Sequence, residues 1–137
     1  MNASNYLENA ALAHVLGVAP FTPPATIWCG VSTATPTDAG SVAEPSGGGY
    51  VRMAMTFAVA GTNPTVATNT LTVTWPTATA AWGVLTHVCL FDAASGGHLL
   101  FWLPLVDGGD FTTPRTTTIN AGDQFQLAGN QLRVRCD

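Results

Sequence analysis

The stretch that most constrains the fold covers residues 75–103, WPTATAAWGVLTHVCLFDAASGGHLLFWL. Two apolar runs rich in β-branched and aromatic residues flank Asp92-Ala-Ala-Ser-Gly-Gly97, whose small residues and paired glycines permit the positive φ of a tight reversal. Nothing along the stretch recurs at helical spacing, so it predicts the centre of an antiparallel β-domain. Its polar residues are threonines, histidines and a turn aspartate, not a converging set of acids, bases or metal ligands. The message of the stretch is packing rather than catalysis.

With 137 residues the chain suits one domain, large enough for a core without disulfide or metal staples. Charged residues make up 9% of it, against about 25% in ordinary soluble domains. It has no lysine, and its cations are Arg52, Arg115, Arg133 and Arg135. A surface of Thr, Ser, Asn, Gly and Ala lacks the interleaved charges that keep a free monomer soluble, which points to an oligomer or an assembly subunit. A net charge of −4 argues against a nucleic-acid partner, because phosphate binding needs clustered Lys and Arg. The longest apolar run, residues 99–106, is far short of the ~20 residues of a membrane span. Residues 1–17 lack the basic segment of a signal peptide and carry Glu8 inside the apolar region, so secretion is not expected.

The only helical pattern is at the start. Asn5 and Glu8 fit a capping box, Leu7, Ala11, Leu12, Val15 and Leu16 recur at helical spacing, and Gly17 is placed to stop the helix. The organisation predicted is a helix at about residues 5–17, a Pro-rich connector over 18–25 and a β-domain over 26–137. Strand-like alternation occurs at residues 26–33, with Ile27, Cys29 and Val31 on one face and Trp28 on the other. It occurs again at 50–57, where Val51, Met53, Met55 and Phe57 share a face. Residues 61–69, polar and containing Pro64, read as a loop, and Leu71, Val73 and Trp75 as a short strand face. Runs at 84–91, 98–105, 116–119, 125–127 and 132–134 complete about eight strands. Without a βαβ rhythm, they predict a mainly β fold, an antiparallel β-sandwich or jelly-roll-like domain with one short N-terminal α-helix.

Little in the chain suggests chemistry. Cys29, Cys89 and Cys136 form no CxxC pair, and His14, His87 and His98 match no zinc spacing. His87 and Cys89 share a strand face, but no third group is placed to orient a catalytic pair. Asp107-Gly-Gly-Asp110 offers two carboxylates around a glycine pair, as a calcium loop would, yet Asp and Gly are also what a hairpin turn requires. The expectation is a chain that is not an enzyme and holds no metal or cofactor. Trp28, out of phase with its apolar neighbours, and Trp82, in a Thr/Ala-rich segment, are candidate interface anchors.

Several segments in order carry a family likeness: Asn5-Tyr-Leu-Glu-Asn9, Pro36-Thr-Asp-Ala-Gly40, Glu44 followed by Ser46-Gly-Gly-Gly-Tyr50-Val-Arg52, Trp75-Pro-Thr-Ala-Thr-Ala80 with Trp82-Gly83, and Thr86-His87 leading to Leu90-Phe91-Asp92-Ala-Ala-Ser-Gly-Gly97. Together they resemble a family of small tailed-bacteriophage virion proteins, often labelled tail fibre proteins. The sequence departs from that pattern mainly over residues 107–118. The resemblance implies assembly without catalysis, in the virion, after synthesis in the host cytoplasm. A chain with no heptads and no shaft of its own suits a capsid decoration (cement) subunit on the capsid exterior, as a homotrimer against the major capsid protein. The alternative is a small tail, tail-fibre or baseplate component among tail proteins, with Trp28 or Trp82 as a glycan platform. The candidate subunit-interface residues are Tyr6, Leu7, Ala11, Trp28, Tyr50, Arg52 and Trp82.

Overall fold

The structure, a computed structural model, describes residues 2–62, 64–107 and 112–136. It is mainly β, with one short N-terminal helix, as the sequence predicts. In chain order the elements are β1 (Asn2–Ala3), α1 (Asn5–Val15), β2 (Ile27–Ser32), β3 (Met53–Met55), β4 (Phe57–Ala60), β5 (Thr65–Asn69), β6 (Val73–Thr74), β7 (Gly83–Leu85), β8 (His87–Phe91), β9 (Leu99–Pro104), β10 (Thr117–Ile119), β11 (Gln126–Leu127) and β12 (Arg133–Cys136). The largest sheet has the order β1-β9-β8-β2-β3, with every neighbour antiparallel. Opposite it lie a three-stranded sheet, β12-β5-β4, and two short ladders, β10-β7 and β11-β6.

Register explains why the central strands read as nearly unbroken apolar runs. Cys29 stands opposite Leu90 and Gly30 opposite Cys89, so the two cysteines point to opposite faces of the sheet. Cys29, Val31, Val88, Leu90 and Leu103 face the main core, where they meet Trp75, Leu85, Ile119, Phe125 and Leu132 of the second layer. Cys89, Phe91, Leu99 and Trp102 form a smaller cluster on the other face, with Trp28 and Val42 half-buried against it. Strands buried on both faces lose the alternation of a half-buried strand.

Five local expectations are corrected. The helix cap is Ser4, not Asn5: the Ser4 hydroxyl accepts from the Leu7 N–H at 3.2 Å and donates to the Leu99 carbonyl, while the Asn5 N–H is already held by the Asp38 carbonyl. The run at 50–57 breaks at Thr56, so β3 pairs with β2 in one sheet and β4 with β5 in the other. Residues 61–69 are not all loop, because the β-branched Thr65, Val66 and Thr68 build β5 between β4 and β12. Leu71 is 67% exposed, leaving Val73 and Trp75 alone to face the core from that strand. The run at 84–91 also divides, at Thr86, whose N–H still bonds the Ser32 carbonyl.

Asn69 closes the second layer. Its side chain is wholly buried, its Oδ1 accepts from the Leu132 N–H at 2.8 Å, and its Nδ2 donates to the carbonyls of Leu71 and Ala128 at 3.0 and 2.9 Å. One amide thus satisfies backbone groups from two turns that have no strand partner. Asn69→Ala leaves the buried Leu132 N–H and two part-buried carbonyls without their partner, so the denaturant midpoint is expected to fall by the equivalent of about 2 kcal/mol with an unchanged m-value, measured by urea unfolding.

Candidate interaction surface

The loop over residues 44–52 is fastened to the large sheet by a half-buried polar clasp. Arg52 forks onto Glu44, with Nε donating to Oε1 at 2.9 Å and Nη2 to Oε2 at 2.6 Å. The Tyr50 hydroxyl donates to Glu44 Oε1 at 2.8 Å and accepts from the Val31 N–H at 3.0 Å. The Arg52 guanidinium lies over the Phe91 ring, 3.4 Å from its centroid, and its Nη1 donates to the carbonyls of Ala93 and Gly96 in the turn after β8. Burial, followed by the neighbouring carboxylate, pushes the Tyr50 phenol far up against the lowering effect of the Val31 N–H. The hydroxyl therefore stays protonated and able to donate.

Glycine is required at two points here. A Cβ on Gly30 would stand 2.7 Å from the Tyr50 hydroxyl, 2.9 Å from Glu44 Oε1 and 3.0 Å from the Phe91 ring. Gly48, at φ +59°, brings its carbonyl to the Trp82 indole N–H at 2.9 Å, and a Cβ there would press on the Ala80 carbonyl at 2.8 Å. Gly30→Ala is expected to lower stability by about 1–3 kcal/mol through overpacking against the clasp, read as a drop in thermal or urea midpoint.

Beyond the clasp lies the helix. The turn after β8 begins at Asp92, whose Oδ1 accepts from the His98 N–H and whose Oδ2 pairs with His98 Nδ1 at 2.9 Å. The Tyr6 ring of α1 stacks on the His98 ring at 3.8 Å with planes 3° apart. A continuous line of contacts therefore runs from Glu44 through Arg52, the turn and His98 to Tyr6. Burial works to raise the Asp92 carboxyl, but the His98 backbone N–H, ring and charge outweigh it and hold the group below its ordinary 3.8. A carboxyl depressed in this way stabilises the fold above its unfolded pKa, and that contribution fades as pH falls through the folded value. Wild-type protein is therefore expected to lose stability relative to Asp92→Asn only as the pH drops below about 3.8, and urea midpoints along a pH series check it.

The face that α1 shows to solvent is the reverse of an ordinary amphipathic helix. Leu7, Ala10 and Ala13 are the half-buried residues, whereas Leu12, Val15 and Leu16 are 61%, 79% and 71% exposed. Gly17, at φ +70°, ends the helix as predicted, with the Gly17 N–H bonded to the His14 carbonyl and the Val18 N–H to the Ala13 carbonyl. That turn leaves Val18 78% exposed beside Leu16. Small residues let the helix lie close to the sheet, and its larger apolar side chains are left facing outward.

The structure thus brings Tyr6, Leu7 and Ala11 onto one helix and sets the other candidate interface residues elsewhere. Tyr50 and Arg52 are engaged in the clasp. Trp82 is buried beneath Gly48 and meets Tyr50 edge-on at 5.4 Å, and Trp28 is half-buried in the smaller cluster. Both tryptophans offered as interface anchors are engaged within the chain: one ring fills the space under the glycine loop and the other covers Phe91 and Trp102. Sequence reasoning missed Ser4, Asn69 and His98 as organising residues. Only Glu44, an isolated acid in a nearly neutral stretch, carried a visible signal.

Burial pushes the Cys29 thiol well up, with Cys89 adding to it; burial and then Glu44 raise Cys89 against the lowering effect of Arg52. Burial lowers His87, whose Nδ1 lies 2.8 Å from the Thr86 hydroxyl. Among the described residues no three His, Cys, Asp or Glu side chains come together as a metal site. The Asp107 N–H bonds the Thr113 carbonyl, while Asp110 lies outside the described residues. Among the described residues no helix is long and apolar enough to cross a membrane.

Comparison with known families places this charge-poor, mainly β chain in the class of bacteriophage virion structural proteins. The chain belongs to the family described as podophage GP4 fiber I protein gp80, whose sequence model matches residues 2–135. No curated protein sequence matches it.

Proposed function

We propose that the chain is a non-enzymatic subunit of the phage tail fibre, working as a homotrimer held by nearly uncharged surfaces. The observation that carries this reading is the outward apolar face of α1: Leu12, Val15, Leu16 and Val18 have no cover within the chain, and water is a poor partner for them. The family description names a fibre, and the fibre position is preferred over capsid decoration for that reason. The glycan-platform idea loses its support, because Trp82 is buried and Trp28 half-buried. What the subunit supplies to the particle is contact, built from many modest interfaces whose sum is large.

Position in the virion is tested by copy number and labelling together. Quantitative mass spectrometry of purified phage, with immunogold microscopy, is expected to give dozens of copies or fewer and label confined to the tail. Hundreds of copies spread over the head would establish the shell-decorating role instead. Absence from the particle would overturn both.

A further inference from the structure

We infer that a groove at the end of β9 is a binding site for an acidic saccharide, with Arg115 taking the carboxylate of the sugar. The groove lies where residues 104–106 meet β10 and the segment 124–132. Its volume of about 360 Å³ falls within the ~300–1,000 Å³ of small-ligand sites. The buried Leu105, Ile119 and Phe125 line it with apolar atoms. Its polar lining is Arg115, Thr117, Gln124, Gln126 and Gln131, and among the described residues no carboxylate joins them.

Three observations define the chemistry of the ligand. The first is charge. The chain has four cations against eight acids; Arg52 is forked onto Glu44, and Arg133 and Arg135 also interact within the chain. The exposed Arg115 guanidinium, by contrast, meets no acid or acceptor among the described residues. Its backbone is nonetheless pinned, with its N–H on the Leu105 carbonyl at 2.7 Å. A guanidinium rooted beside a groove without acids favours an anion, and its planar fork matches a carboxylate. The second is the set of amides. Gln131 Oε1 accepts from the Ala128 N–H at 2.9 Å, which leaves its Nε2 to donate, whereas Gln126 Nε2 donates to the Thr74 hydroxyl at 2.9 Å, which leaves its Oε1 to accept. Side chains already held in place lose little freedom on binding. Donors and acceptors together are what a sugar ring needs, because each hydroxyl both gives and receives a hydrogen bond. The third is the apolar lining, which suits the C–H face of such a ring. The site is separate from Trp28 and Trp82 and requires no exposed aromatic ring.

The site is tested by calorimetric titration of the full chain with galacturonate, glucuronate and N-acetylneuraminate, each compared with galactose, acetate and inorganic phosphate. At least one acidic sugar is expected to bind in the millimolar range and more tightly than all three controls. Arg115→Gln is expected to weaken that binding by about ten- to a hundredfold. The same change should leave the urea midpoint where it is, because the side chain is exposed and holds nothing in the fold. In NMR spectra of the titration, the side-chain amide signals of Gln124, Gln126 and Gln131 are expected to shift. Acetate or phosphate binding as tightly as the acidic sugar would reduce the site to a simple anion contact and overturn the saccharide assignment. Galactose binding equally well, or Arg115→Gln without effect, would overturn the role of the arginine. No binding of any acidic sugar would overturn the inference entirely. None of these readings depends on position in the virion or on oligomeric state, so failure of the site and failure of the fibre assignment are told apart.

Discussion

The clasp of Glu44 and Arg52 beside Gly30 is the constraint on which the rest depends. A carboxylate and a guanidinium removed from most of the solvent are tolerable only when their hydrogen bonds are met, and here Tyr50, two turn carbonyls and the fork itself meet them. The pair also needs room at the sheet surface, which Gly30 provides by having no side chain. With the clasp closed, the loop over residues 44–52 covers the second face of the large sheet. The same arginine fixes the turn that presents His98 to the helix.

Much of the β-domain was legible because burial writes itself into strands at short range. β2, β8 and β9 were visible as apolar runs, and Gly17 announced the helix end. The losses share a cause, which is that the deciding partner is distant in sequence. β5 was hidden by Pro64 and a polar tone until β4 and β12 enclosed it, and the run ending at Phe57 looked continuous because period-2 patterning does not show where a chain passes from one sheet to another. Asn5 resembled a cap better than Ser4 did, but a carbonyl of β9 across the fold selected the serine.

The interface candidates divide along the same line. Tyr6, Leu7 and Ala11 could be assigned to one helix from spacing alone. Trp82, Tyr50 and Arg52 turn inward because Gly48 and Glu44 hold them, and no local pattern announces those partners. The direction of α1 was the least legible feature. Amphipathic spacing shows that a helix has an apolar stripe, whereas the sheet beneath accepts Ala10 and Ala13 and turns the stripe away.

A helix fastened at one end behaves as a lever. Asn2 to Ser4 and the Tyr6 stack root α1 on β9 and the turn after β8, and Val15 lies about 15 Å further along at the usual rise of a helix. A tilt of about ten degrees at the root therefore carries the tip roughly 3 Å, nearly the width of one methyl contact. Small adjustments at a serine and a stacked ring are thereby magnified into larger displacements of the exposed Leu16 and Val18.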